Sequence, residues 1–270
     1  MKEWTSAYLA VNGIRLHYHR TNGSGPCLLL LHGITDDGLC WTRLVRDLAP
    51  GWDCILLDAR GHGHSAAPDG GYGPSDHAGD VLGLVEVLSL QRPVLMGHSM
   101  GAGTAALAAS MHPDRIRALV LEDPPWREPP LSDAQRRALA QEYRSGLRAE
   151  QALPLQQLVA RYQRDFPHWH WDDIVPCARA KHLVRQRAFR YYDSPAPPWR
   201  EVARNLSLPT LLFTADPAKG ALVTPATARQ AAALAPDLRV VHLPGAGHDI
   251  RRDEYAAFLE GLRAFLAQVA

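Results

Sequence analysis

Cysteine, net charge and long hydrophobic runs are all scarce in this sequence. Four cysteines (Cys27, Cys40, Cys54, Cys177) stand among 270 residues, too few and too irregularly spaced to read as a disulfide framework. Cys27 and Cys54 fall in apolar, strand-like surroundings, where a reduced cysteine behaves as a small buried hydrophobe. Basic side chains number 29 and acidic ones 28, a formal charge of +1, which argues against a nucleic-acid or membrane-surface partner. No apolar run approaches the roughly 18 residues that a membrane span needs. Met1 to Trp4 lack the apolar core of an export signal. Internal repeats and low-complexity tracts are missing too. These absences predict a soluble, cytoplasmic protein. What remains is ordinary for a globular chain, 46% hydrophobic and 21% charged residues, which excludes wholesale disorder. At this length a full hydrophobic core can be buried.

Strand and helix signals alternate along the chain, the mark of a parallel sheet covered by helices. Short, unbroken apolar runs at 27–31, 54–57, 93–96, 118–121, 210–213 and 239–243 suit strands buried on both faces. Near the start, 8–11 and 14–18 flank Asn12-Gly13, a hairpin signal because both turn residues must tolerate positive φ. Helical periods cover 76–88, with Val81, Leu84, Val85 and Leu88 on one face, and 253–269, with Phe258, Leu262 and Phe265 inward. The stretch 100–111 is rich in Ala and small residues, as a helix packed closely on a sheet should be.

Residues 126–205 break this pattern. They hold four of the seven Trp (Trp126, Trp169, Trp171, Trp199), helical periods and no strand-like run. They also carry 14 basic against 9 acidic side chains, an excess that a solvated helical face accounts for first, with a preference for an acidic substrate at the opening as the lesser alternative. Residues 195–198, Pro-Ala-Pro-Pro, look like a stiff connector. The expected organisation is a core made of residues 1–125 and 206–270, with 126–205 as a helical insertion over the C-terminal edge of the sheet.

Gly97-His98-Ser99-Met100-Gly101 lies between a buried strand and the Ala-rich helix. In that setting G-x-S-x-G has a physical meaning. A Ser on a sharp strand-to-helix turn needs a strained backbone, and glycine neighbours relieve the crowding. The turn lifts the hydroxyl above the sheet edge, and the helix aims its first amides at the same point. His98, in the variable position, is assigned no chemistry. With this elbow, the sequence resembles the α/β-hydrolase superfamily along nearly its whole length. His32-Gly33-Ile34-Thr35 looks like that family's oxyanion loop, and Asp58-Ala59-Arg60-Gly61-His62-Gly63-His64-Ser65 like its D-x-R-G-x-G-x-S turn. Gly245-Ala246-Gly247-His248 looks like the loop that bears its catalytic His. The resemblance implies a mostly parallel eight-stranded sheet with a helical cap inserted after strand 6.

A Ser hydroxyl is a poor nucleophile without a base within hydrogen-bond reach. Of the 13 His, most sit in strand, helix or turn settings where a structural or surface role suffices. The His-x-His pairs at 17/19, 62/64 and 168/170 lack further ligands at metal-site spacing, so no metal is expected. His248 follows a buried strand through a glycine-bearing loop on the Ser99 edge and is read as the base. A carboxylate should hold its tautomer and stabilise the imidazolium. Asp216 follows the 210–213 strand, where the family most often carries its acid, but the usual G-x-x-D spacing would fall on Ala218. Asp123 ends the 118–121 strand, where some lactone- and amide-cleaving members carry theirs, and it is favoured over Asp216. Its neighbour Glu122 points to the opposite face.

The backbone amide of Met100, next to the nucleophile, should face the developing oxyanion, and the resemblance places the second donor on Ile34. Trp126, Trp169 and Tyr191, with Trp171 and Tyr192, are candidates for walling an acyl pocket. The reading is a serine hydrolase of small or medium esters, lactones or amides, needing no cofactor and acting on a small-molecule substrate, with no nucleic acid or membrane involved. A carbon–carbon bond hydrolase with the same triad, and a slow-turnover ligand receptor, remain alternatives.

Overall fold

A computed structural model describes residues 4–49 and 51–270. The first three residues of the stretch read above for an export signal lie outside them. Eight strands form one sheet in the order β1-β2-β4-β3-β5-β6-β7-β8. They are β1 (Thr5–Val11), β2 (Ile14–Arg20), β3 (Cys27–Leu31), β4 (Asp53–Asp58), β5 (Val94–His98), β6 (Ala118–Glu122), β7 (Thr210–Ala215) and β8 (Leu238–Leu243). Asn12 and Gly13 turn the β1–β2 hairpin with φ of 50° and 76°, the left-handed pair its sequence predicts. β2 also pairs antiparallel with β4, and every later pairing is parallel.

Parallel neighbours need crossovers, and helices supply them. They include α1 (Thr42–Leu48), α2 (Pro74–Val87) and α3 (Met100–Met111). Successive strand residues point to opposite faces, so the unbroken apolar runs feed two separate cores. Leu29, Leu31, Leu95, Leu119, Leu121 and Leu212 pack with α2 and the small residues Ala102, Ala105, Ala106 and Ala109 of α3. Leu28, Leu30, Met96, Val120, Leu211 and Phe213 pack on the other face, against Trp41, Leu44, Phe258 and Leu262. β8 departs from the expected double burial. It pairs only with β7, and Val240 is exposed, because an edge strand has a neighbour on one side only.

Between β6 and β7 the chain forms α4 (Asp133–Gln151), α5 (Leu155–Asp165), α6 (Trp171–Leu183), a 3-10 stretch Gln186–Asp193 and α7 (Trp199–Arg204). Ser132 starts α4 with a reciprocal cap: its Oγ accepts from Gln135 N (3.3 Å), and Gln135 Oε1 accepts from Ser132 N (2.8 Å). This region has its own apolar cluster around Leu158, Tyr162, Trp169 and Ile174. A second cluster, with Leu147, Val184 and Phe189, closes over Ile34 and Met100. Helix α8 (Pro225–Leu234) leads into β8, and α9 (Ile250–Asp253) and α10 (Tyr255–Val269) follow it. The helix expected from about residue 253 to 269 is α10, and Glu254, with φ −128° and ψ 55°, separates it from the short α9. Among the described residues, no helix is long and apolar enough to cross a membrane.

Candidate active site

β5 delivers Ser99 to the sheet edge on a turn with φ 52° and ψ −117°, a conformation non-glycine residues hold only under local constraint. The two flanking glycines make the turn possible. A Cβ on Gly97 would overlap the Gly101 backbone, and one on Gly101 would overlap the Leu31 carbonyl. Ser99 N is anchored on the Glu122 carbonyl at 2.9 Å, so the elbow is tied to the end of the neighbouring strand.

That strand end and the loop after β8 supply the partners. Ser99 Oγ lies 2.9 Å from His248 Nε2, and His248 Nδ1 lies 2.6 Å from Asp123 Oδ2. With Nδ1–H donating to the carboxylate, Nε2 is left to accept the Ser99 hydroxyl proton. Asp123 is fully buried, and its oxygens also accept from Leu222 N (2.8 and 3.0 Å) and Val223 N (2.9 Å). Burial disfavours the charged imidazole of His248, but the Asp123 hydrogen bond and charge outweigh it, and the pKa ends above the usual histidine value.

Asp216, the competing acid, instead caps a 3-10 turn through Ala218 N at 2.9 Å. Glu122 turns to the opposite face as strand alternation requires, accepting from Arg251 N (2.8 Å) and Nη1 (2.9 Å). Among the described residues, the backbone amides of Ile34 and Met100 donate to no protein acceptor. The Ile34 loop is held from behind. His62 Nε2 donates to the Ile34 carbonyl (2.7 Å), and His32 accepts from Ala59 N (3.0 Å) while donating to the Gly33 carbonyl (2.8 Å).

A buried ionic network joins these loops. Lys181 Nζ of α6 donates to Thr35 O (2.9 Å) and Thr35 Oγ1 (2.8 Å) and lies 3.4 Å from Asp36 Oδ1. Arg252 Nη2 donates to Asp36 Oδ2 at 2.8 Å and its other arm reaches Asp249. Burial would raise the Asp36 pKa, but Arg252, Lys181 and Arg251 hold it well below the usual carboxylate range. His98, assigned no chemistry from the sequence, is buried and donates from Nε2 to the His248 carbonyl at 3.0 Å. It thus supports the loop that carries the histidine.

Ser99, Met100, Trp126 and Tyr191 line one cavity of about 210 Å³. Trp169 does not, and its expected place in the pocket is corrected. Its ring stacks on Phe166 at 4.2 Å, and its Nε1 donates to Asp253 Oδ1 at 2.8 Å, so it fastens the α5–α6 corner to the core. Trp171 is exposed to solvent. The sequence reading missed Arg127 and Tyr143, which line the cavity, and residues 195–198 form part of its wall rather than a mere connector. Proximity to Trp126 was the one available signal for Arg127. Among the described residues, no three His, Cys, Asp or Glu side chains gather as a metal-holding group.

Comparison with known proteins gives a consistent picture. A family model described as alpha/beta hydrolase fold matches residues 26–251. The N-formylmaleamate deformylase of Pseudomonas putida is 32% identical over 269 residues, 96% of this chain and 95% of that protein. The 2-(acetamidomethylene)succinate hydrolase of Mesorhizobium japonicum is 29% identical over 262 residues, 92% of this chain and 90% of that protein. The crystal structure of the enol-lactonase from Burkholderia xenovorans superposes with a TM-score of 0.77 at 26% identity, covering 97% of this chain and all of that one.

Proposed function

This chain belongs to the alpha/beta hydrolase family and is a hydrolase, and we propose that it cleaves small carboxylic amides, esters or lactones through an acyl-enzyme on Ser99. The observation that carries this reading is the continuous hydrogen-bond chain from Ser99 through His248 to Asp123 at the wall of a cavity. Ser99 Oγ attacks the acyl carbonyl as His248 Nε2 takes its proton. Asp123 holds the ring in the accepting tautomer and stabilises the imidazolium. The Met100 and Ile34 amides receive the negative charge that builds on the carbonyl oxygen, an interaction worth about 3 kcal/mol per donor. His248 then protonates the leaving nitrogen or oxygen. It next deprotonates a water that attacks the acyl-enzyme, releasing the acid and free Ser99. No step calls on a metal or organic cofactor.

Residues 126–205 serve in this reading as the cap that shapes the acyl site, with Trp126 and Tyr191 among the residues that line it. Amide cleavage is the first activity to test, because acetamido and formylmaleamate groups appear in the names of two relatives. The lactonase likeness keeps oxygen esters in range.

Turnover of p-nitrophenyl acetate and of p-nitroacetanilide, followed across pH, tests the proposal. Continued turnover is expected, with kcat/KM rising as His248 loses its proton. The raised pKa places the midpoint above the ~6.5 of an unperturbed histidine. Release of a single equivalent with no further turnover points instead to a ligand receptor. A profile flat from acid to neutral pH removes His248 as the base.

A further inference from the structure

Three arginines line the cavity that contains Ser99: Arg127, Arg136 and Arg200. Two of them are already engaged. Arg136 donates to Asp133 Oδ1 (2.8 Å) and to the carbonyls of Leu131 (3.2 Å) and Tyr192 (3.3 Å). Arg200 donates to Glu128 and, at 2.7 Å, to Gln230 Oε1. The Arg127 guanidinium has no hydrogen-bond or carboxylate partner among the described residues, whereas its backbone N donates to the Pro125 carbonyl at 3.0 Å.

The position of this free cation is built rather than incidental. Arg127 lies four positions after Asp123. The chain between them is drawn into successive tight turns, with Trp126 N donating to Pro124 O at 2.7 Å. Trp126 is buried, and its ring stacks at 5.6 Å on that of Trp199. The backbone at Arg127 is thereby anchored while the side chain stays half-buried beside the cavity. Its charge is also felt by two other lining groups. Burial raises the pKa of Tyr143 and of Tyr192, and Arg127 acts on both in the opposite direction. Around it the wall is largely Trp, Tyr, Pro and Leu, a setting in which a charge is poorly solvated and gains most from a counter-ion.

We propose that Arg127 receives a carboxylate of the substrate, so that the enzyme selects small acyl compounds carrying a negative charge. A planar guanidinium offers two parallel donors that match the two oxygens of a carboxylate. The proposal rests on the acyl-hydrolase reading for its substrate class, while the anion site itself can be tested apart from it.

The kinetic test uses p-nitrophenyl half-esters of succinic, glutaric and adipic acid, each beside its neutral methyl-ester counterpart, with wild type, Arg127→Lys and Arg127→Gln. Wild type is expected to favour the anionic member at one chain length, the length that spans Ser99 to Arg127. That preference, as a ratio of kcat/KM values, should fall about 10- to 100-fold in Arg127→Gln, chiefly through KM, with Arg127→Lys between. A ratio equal in wild type and Arg127→Gln overturns the proposal, as does a wild type that favours the neutral esters. Calorimetric titration with the dicarboxylates themselves separates the two readings. If wild type hydrolyses no ester yet binds a dicarboxylate at least 10-fold more tightly than Arg127→Gln does, the anion site stands and the acyl-hydrolase reading fails. If wild type hydrolyses none and the two proteins bind dicarboxylates alike, the anion site fails too.

Discussion

Asp123→Asn is expected to lower kcat by about 10³- to 10⁴-fold, while Asp216→Asn stays within about twofold of wild type. The asymmetry follows from what each carboxylate touches. Asp123 accepts from His248 Nδ1 and from two backbone amides at once. An asparagine oxygen can keep the amides, but its NH2 then faces Nδ1. That arrangement stabilises the wrong tautomer, with Nε2 carrying the hydrogen toward Ser99 and unable to take its proton. Asp216 only caps a turn through Ala218 N, and an asparagine can do the same. A second signature accompanies the loss. The Asp123 bond and charge are what lift the His248 pKa against burial, so the midpoint of kcat/KM against pH should move down in Asp123→Asn. A larger loss in Asp216→Asn, read by steady-state kinetics on the same ester, contradicts the assignment.

The second large effect is on stability. Asp36→Asn should lower the free energy of unfolding by about 3–5 kcal/mol, measured by urea denaturation. Asp36 is the anion shared by Lys181 and Arg252, and its removal leaves buried Lys181 facing a neutral amide and Arg252 with Asp249 alone. The sign with pH is fixed by the depressed pKa of Asp36. Such a carboxylate contributes stability that is present above its unfolded pKa and is lost as pH falls through its folded value. The gap between wild type and Asp36→Asn should therefore be widest near neutral pH and shrink below the normal carboxylate range. A gap independent of pH would mean that the loss comes from packing rather than charge. Lys181 also grips Thr35, beside Ile34, so the same network connects the helices after β6 to the loop assigned the oxyanion.

Much of this architecture is legible in local sequence. Runs such as 27–31 and 118–121 are unbroken because both faces of those strands are covered, and Asn12-Gly13 announces its own turn. Gly97 and Gly101 mark the elbow because any larger residue would overlap backbone. Strand alternation separates Glu122 from Asp123 without a structure. Legibility fails where a side chain's role depends on a partner far away in sequence. Trp169 looks like a pocket aromatic until Asp253, 84 positions on, takes its indole N–H. Lys181 and Asp36 are 145 positions apart, and no periodicity couples them. Arg127 is one arginine among many, and its distinction, a side chain without a partner among the described residues, shows only in the folded chain. His98 passed as a variable position because its bond is to the backbone of His248, and main-chain acceptors leave no trace in sequence.

The central claim is that His248 and Asp123 activate Ser99. Fluorophosphonate labelling of the folded protein, read by intact mass and peptide mapping, tests it most directly. One adduct is expected, on the peptide that contains Ser99, and it should form far more slowly in Asp123→Asn than in wild type or Asp216→Asn. A folded protein that carries no adduct on Ser99 would contradict the account.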